Sequence, residues 1–213
     1  MSHPQIYPMD TPQKKLKILA ASDLHGDSHQ CQKLADQAVN EHVDLVVLCG
    51  DLTSPLQTKN LIKPFTDKGK PVLLVPGNHD GFATGDFLAE LYHIKNLHNS
   101  YATYNHVSFF GCGGANIGLE ALNDDEFYTI LKKGFTSVAH AQKKIMVTHV
   151  HPSGTIVDRI FPNAGSSGVR RAVEQFKPDF LLCGHIHEAA GVEDMIGNTR
   201  VINVGRQGKI IEL

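Results

Sequence analysis

The chain has 213 residues, 41% of them apolar and 7% aromatic, with 20 Lys and Arg against 22 Asp and Glu for a net charge of −2. This suits one domain with its own core and excludes wholesale disorder; the charge balance excludes a strongly basic nucleic-acid coat or a polybasic membrane patch. No apolar run reaches the roughly 18–20 residues that cross a bilayer, and residues 1–15 hold Pro4, Pro8 and Pro12 but no apolar leader segment, so a soluble, cytoplasmic protein is expected.

Cys31, Cys49, Cys112 and Cys183 are widely spaced. They read as small buried hydrophobes, not as a disulfide framework or a zinc ribbon. Histidine is over-represented, with 13 residues against no Trp, and it is the commonest metal ligand and the usual acid or base near neutral pH.

Residues 1–15 are predicted to be an irregular tail, because proline blocks regular hydrogen bonding. A single domain follows over 16–213. Its first half alternates: strand 16–21, helix 30–41 on Leu34, Ala35, Ala38 and Val39, strand 43–48, helix 56–68 interrupted at Pro64, strand 71–75, helix 86–93. That alternation implies a largely parallel sheet with helices on its faces. The middle predicts a hairpin of 101–104 and 107–110 around Asn105-His106, then a glycine-rich loop over 111–118 that can line a pocket mouth. Next come helix 123–142 with a weak point at Gly134, strand 144–147, helix 165–176 with Ser167 as N-cap, and strand 180–183. The end reads as two or three antiparallel strands with turns at Gly197-Asn198 and Arg206-Gln207-Gly208. Segments 43–51 (VDLVVLCGD) and 178–185 (PDFLLCGH) echo each other: an acidic residue, an apolar strand, Cys-Gly, then a metal-capable side chain.

The chemistry lies just after five of these strands, in Ser22-Asp23-Leu24-His25-Gly26, Gly50-Asp51, Gly77-Asn78-His79-Asp80, Thr148-His149 and Gly184-His185-Ile186-His187. Strand carboxyl ends are where open α/β sheets place their chemistry. In Asp23-x-His25 and His185-x-His187 extended backbone puts both side chains on one face. Mixed oxygen and nitrogen donors without thiolate suit Mn, Fe, Zn or Ni. Asp23, His25, Asp51, Asn78, His149, His185 and His187 exceed the four donors one zinc takes; with one bridging carboxylate they fill four positions on each of two ions.

In order and type these motifs resemble the calcineurin-like metallophosphoesterase superfamily, whose signature is D-x-H, G-D, G-N-H-[DE], an isolated H and G-H-x-H. All five blocks occur in order between residues 23 and 187. The resemblance implies an α/β fold, a four-layer α/β/β/α sandwich with the metal site at strand ends. It implies Asp23, His25 and His187 on the first ion, Asp51 as bridge, and Asn78, His149 and His185 on the second. His79 would contact the phosphoryl group and protonate the leaving oxygen, with Asp80 orienting it; the plainer reading makes Asp80 a helix cap.

The implied activity is hydrolysis of a small, nucleotide-like phosphoester by a hydroxide shared between two divalent transition-metal ions, with Mn2+ favoured and Fe, Zn or Ni fitting the same donors. A phosphodiester is the first choice. The alternatives are a phosphomonoesterase of the same fold and a non-catalytic metal-binding scaffold. A DNA nuclease is disfavoured by the absence of a basic stripe. The histidines outside the motifs read as surface or structural residues, and His151, beside Pro152, as a loop residue.

Overall fold

The computed structural model describes residues 15–213 apart from Leu56, Thr58 and Leu119; the tail expected over 1–15 lies outside them except for Lys15. Strands β1 (Lys17–Ala21), β2 (Leu45–Cys49), β3 (Val72–Val75), β4 (Lys95–Asn96) and β11 (Lys209–Glu212) form one sheet in the order β11-β1-β2-β3-β4. Strands β5 (Ser100–Tyr104), β6 (Val107–Cys112), β7 (Lys143–Thr148), β8 (Phe180–Cys183), β9 (Glu193–Ile196) and β10 (Thr199–Asn203) form the other, in the order β5-β6-β7-β8-β10-β9. β1, β2 and β3 are parallel neighbours, as are β6, β7, β8 and β10.

The two-residue period of the strands builds the layers. Ile18, Ala20, Leu45, Val47 and Val75 meet Phe109, Ile145, Val147, Leu182 and Ile202 between the sheets. The alternate residues Leu19, Ala21, Val46, Leu48 and Leu74 face outward onto α1 (Ser28–Asn40), α2 (Lys63–Asp67) and α3 (Phe82–Tyr92) through Leu34, Ala35, Phe65 and Leu88. On the far side, Phe110, Met146 and Leu181 pack against α4 (Asp124–Val138) and α6 (Ser167–Phe176) through Phe127, Leu131, Val169 and Val173. Both faces of the central parallel strands are therefore covered, and β2 is buried throughout. The result is the four-layer α/β/β/α sandwich.

Several expectations change. The helix expected over 56–68 shrinks to α2, with Pro64 in its first turn, where a missing N–H costs nothing. α3 begins at Phe82, four residues before the expected start at 86, and its N-cap is Gly81, not Asp80. The N-cap of α6 is Ser166, whose hydroxyl accepts from Val169 N, not Ser167. The C-terminal strands do not form one meander: β9 and β10 are antiparallel, β10 pairs parallel with β8, and β11 crosses to the other sheet to pair with β1. That crossing puts Ile211 and Leu213 into the inter-sheet core. The hairpin at Asn105-His106 is present, with φ of 49° and 67°, the two left-handed residues of a tight turn.

Candidate metal centre

The five motif loops leave the carboxyl ends of β1, β2, β3, β7 and β8 and are tied to one another through their backbones. Asp23 N donates to Gly50 O at 3.0 Å, His25 N to Asp51 O at 2.8 Å, and Gly184 N to His149 O at 2.9 Å. The convergence does not come from extended D-x-H and H-x-H segments as expected. Asp23, His25, Asp51 and His185 have φ of 59°, 46°, 53° and 74°, the left-handed region that non-glycine residues adopt at a cost and that clusters at functional sites. His187 opens a short 3-10 turn, His187–Ala189. Two glycines are required by close approach: a Cβ at Gly77 would lie 2.0 Å from Asp51 Oδ1, and one at Gly50 (φ 92°) 2.5 Å from His149 Nδ1.

Two tight donor groups result. Asp23, His25 and His187 offer ligand atoms within 4.8 Å of one another, and so do Asp23, Asp51 and His149. His25 Nε2 is 3.1 Å from His187 Nε2, and His187 Nε2 is 3.5 Å from Asp23 Oδ1. Asp51 Oδ2 stands 3.7 Å from His25 Nε2 and 3.4 Å from His149 Nε2. Asn78 Oδ1 is 3.0 Å from His149 Nε2. His185 stacks edge-on against His149 with ring centroids 5.0 Å apart, outside both tight groups. This is a set of Lewis-basic nitrogens and oxygens pointing at common space, which fits divalent cations.

Electrostatics prepare the donors. Burial pushes the Asp51 carboxyl up, but the hydrogen bond and charge of His149 and the His79 amide outweigh it, so Asp51 is held well below the usual carboxylate range. Burial, reinforced by the His149 charge, pushes His185 down to about 4, and burial also lowers His25; both imidazoles are neutral near pH 7, the form that binds metal. His149 is pushed down by burial but raised overall by Asp51, Asp23 and the Cys49 carbonyl. Its Nδ1 lies 2.8 Å from Cys49 O, which fixes the tautomer and turns Nε2 toward the centre. A metal held there would take the place of the Nε2 proton.

His79 sits over this group with its side chain 60% exposed, its Nε2 4.0 Å from Asp51 Oδ2 and its backbone N donating to Asp51 Oδ1 at 2.9 Å. Asp80 is not the expected partner of His79. Its buried carboxylate accepts from Leu52 N, Thr53 N, Thr53 Oγ1 and Gly77 N at 2.7–3.0 Å, and it ties the loops after β2 and β3 together. Residues around the centre escaped the sequence reading. Ser22 Oγ donates to Asp23 Oδ2 at 2.5 Å, and Asn203 Nδ2 donates to Gly184 O and Ile186 O at 3.2 and 3.1 Å. His151 lies in a loop as expected, and it is fully buried there. Position beside a motif residue could have flagged Ser22; Asn203, on β10, gives no local signal.

Comparison with known proteins agrees with this architecture. Residues 16–210 match the calcineurin-like phosphoesterase superfamily domain, and the chain belongs to that family. It is 25% identical to the UPF0046 protein K07C11.7 of Caenorhabditis elegans over 220 residues, 91% of this chain and 71% of that one. In fold it is similar to TT1561 of Thermus thermophilus, with a TM-score of 0.73 at 19% identity over 93% of this chain and 99% of the other. It also resembles a structure described as a novel archaeal phosphodiesterase, with a TM-score of 0.53 at 18% identity over 92% and 99%. Family membership makes the protein a metal-dependent phosphoester hydrolase by class. Among the described residues no helix is long and apolar enough to cross a membrane.

Proposed function

We propose that this chain hydrolyses phosphodiesters with two divalent transition-metal ions, Mn2+ first among Mn, Fe, Zn and Ni. The observation that carries the reading is Asp51 Oδ2, which stands between His25 of one donor group and His149 of the other. A carboxylate so placed can serve both groups. Asp23, His25 and His187 would hold one ion, Asn78, His149 and His185 the other, and Asp51 would serve both. When bound, such a pair lowers the pKa of a water and offsets phosphoryl charge.

The chain's own residues supply orientation and protons. The Cys49 carbonyl presents His149 in one tautomer. His79, anchored through its backbone on Asp51 and open to solvent, contacts the phosphoryl oxygens and gives its proton to the leaving oxygen. Asp80 acts at one remove, by holding the Gly77 and Leu52 backbone on which His79 and Asp51 ride.

Preference for a diester rests on charge. The five motif loops contain no Lys or Arg. Arg170 is committed to Glu174 and Ser153 O, and Arg171 to Asp125 and the Tyr128 ring. Neither of these two guanidiniums is free to hold the second charge of a monoester. The archaeal fold neighbour is by its description a phosphodiesterase, which points the same way. The test is turnover of bis-p-nitrophenyl phosphate and p-nitrophenyl phosphate by metal-free protein titrated with Mn2+. Metal-requiring turnover of the diester, lost in Asp51→Asn, is expected. A monoester preference moves the substrate to phosphomonoesters, and no turnover with two ions bound leaves a metal-binding scaffold.

A further inference from the structure

The loop that carries His185 and His187 is gripped by one buried side chain. Asn203 ends β10, opposite Cys183 at the end of β8, and is 1% exposed. Its Nδ2 donates to Gly184 O at 3.2 Å and to Ile186 O at 3.1 Å, the carbonyls on either side of His185. Between them Ile186 N donates to Gly184 O at 3.0 Å, around a His185 φ of 74°. A three-residue turn with that left-handed centre is rare and strained. Ile186 O also accepts from Ala189 N at 3.1 Å, and His187 opens the short 3-10 turn that follows. The two hydrogens of a single amide therefore span the bend from which both imidazoles project.

The amide is not needed to satisfy the backbone, because Gly184 O and Ile186 O already have backbone donors in Ile186 N and Ala189 N. Nor is the amide itself satisfied. Asn203 Oδ1 is buried and has no hydrogen-bond partner among the described residues. A buried polar atom left unpaired costs stability, and each such atom calls for an explanation. An apolar side chain would avoid that cost. What the amide alone supplies is a pair of N–H donors on two carbonyls two residues apart, a grip on a turn that its own backbone geometry disfavours. The same turn is tied to the rest of the centre, since His185 N donates to both Asp23 carboxylate oxygens at 3.2 Å.

We propose that Asn203 is a positioning residue of the metal centre: by clamping Gly184 and Ile186 it holds His185 and His187 in the directions that their donor groups require. The inference rests on the two-ion reading above, in which His187 serves one ion and His185 the other. Loss of the clamp leaves all seven donors in the chain and frees the loop that aims two of them. Losing a partner that orients metal ligands typically costs about ten- to a hundredfold in metal affinity.

The test uses Asn203→Leu and Asn203→Ala, which both remove the donors, the first keeping a branched side chain. Thr199→Val is the control. At the other end of β10 it removes a buried hydrogen bond of the same kind, Thr199 Oγ1 to Pro178 O at 2.6 Å. Metal-free chains are titrated with Mn2+ by calorimetry, and urea midpoints in EDTA report the stability of each. Both Asn203 variants are expected to bind both ions about tenfold or more weakly, and Thr199→Val to bind them as the unaltered chain does. Unchanged affinity at either step in the Asn203 variants overturns the proposal and leaves the two-ion reading standing. Equal weakening in Thr199→Val also overturns it, because affinity then follows stability alone. Loss of the folded metal-free state in both Asn203 variants makes the amide a structural tie and overturns it too. A single ion in the unaltered chain overturns the two-ion reading, and with it the claim that one amide serves two ions.

Discussion

β2 in one sheet and β8 in the other begin alike. Asp44 N donates to Lys17 O at 2.8 Å while Asp44 Oδ2 accepts from Lys17 N at 3.0 Å. Asp179 N donates to Lys144 O at 2.8 Å and Asp179 Oδ2 accepts from Lys144 N at 2.8 Å. Each strand then runs through a buried core into a fully buried cysteine and a glycine. There they part: Asp51 follows Gly50, and His185 follows Gly184. The first sheet gives the centre both of its carboxylates, the second only imidazoles. The two are interlocked, because the His185 backbone N donates to both Asp23 carboxylate oxygens at 3.2 Å. The difference teaches a division of labour. On the proposed two-ion reading, anionic donors would fix the cations firmly, and neutral donors would complete their shells without cancelling the positive charge that must meet a phosphate.

The comparison breaks most visibly at the two matched positions. Asp51→Asn is expected to lower kcat on bis-p-nitrophenyl phosphate about a thousandfold or more, since it removes the charge that stands between His25 and His149. His185→Asn, which trades one neutral donor for another, is expected to cost nearer a hundredfold. Steady-state kinetics at saturating Mn2+ checks both, and equal losses would erase the proposed asymmetry.

Asp80→Ala strands four donors on the first-sheet side and is expected to cost about 3 kcal/mol by urea denaturation of the metal-free chain. In the second sheet the sensitivity is to pH. In the metal-free chain His185 titrates near 4, below its ordinary value, so between about 4 and 6.5 the unfolded chain binds a proton the folded chain refuses. Its contribution to stability is complete above about 6.5 and fades as pH falls toward 4. Urea midpoints in EDTA across that window should fall with pH, and His185→Gln should flatten the fall. The strand starts sharpen the likeness: Asp44→Ala and Asp179→Ala should each cost about 1 kcal/mol, and the double variant their sum, because the two lie in different sheets. Smallest is His106→Gly in the β5–β6 turn. It relieves a left-handed side chain and is expected to add about 0.5 kcal/mol with no change in turnover.

Much of this was legible in the chain. The order of D-x-H, G-D, G-N-H-D, H and G-H-x-H picked out the side chains that the fold gathers, and apolar runs followed by glycine placed them at strand ends. The echo of 43–51 in 178–185 carried the likeness of β2 and β8. What stayed hidden depends on contacts between distant segments. Fully apolar strands do not say which sheet they join, so the division into two sheets rested on the family resemblance, and the crossing of β11 to β1 was missed. The left-handed backbone at Asp23, Asp51 and His185 is imposed by the interlocked loops, since nothing in an aspartate or histidine announces it. Asp80 beside His79 suggested a couple, while its carboxylate is claimed by Leu52 and Thr53 from another loop. His151 was read as a loop residue and is one, but its burial was not legible, because it comes from packing beyond its own loop.

The most direct measurement is the number of ions the centre holds. Metal-free protein would be titrated with Mn2+ and read by calorimetry and electron paramagnetic resonance. The account predicts two ions per chain, magnetically coupled, falling to one in Asp51→Asn. Saturation at a single ion with all seven donors intact would contradict it.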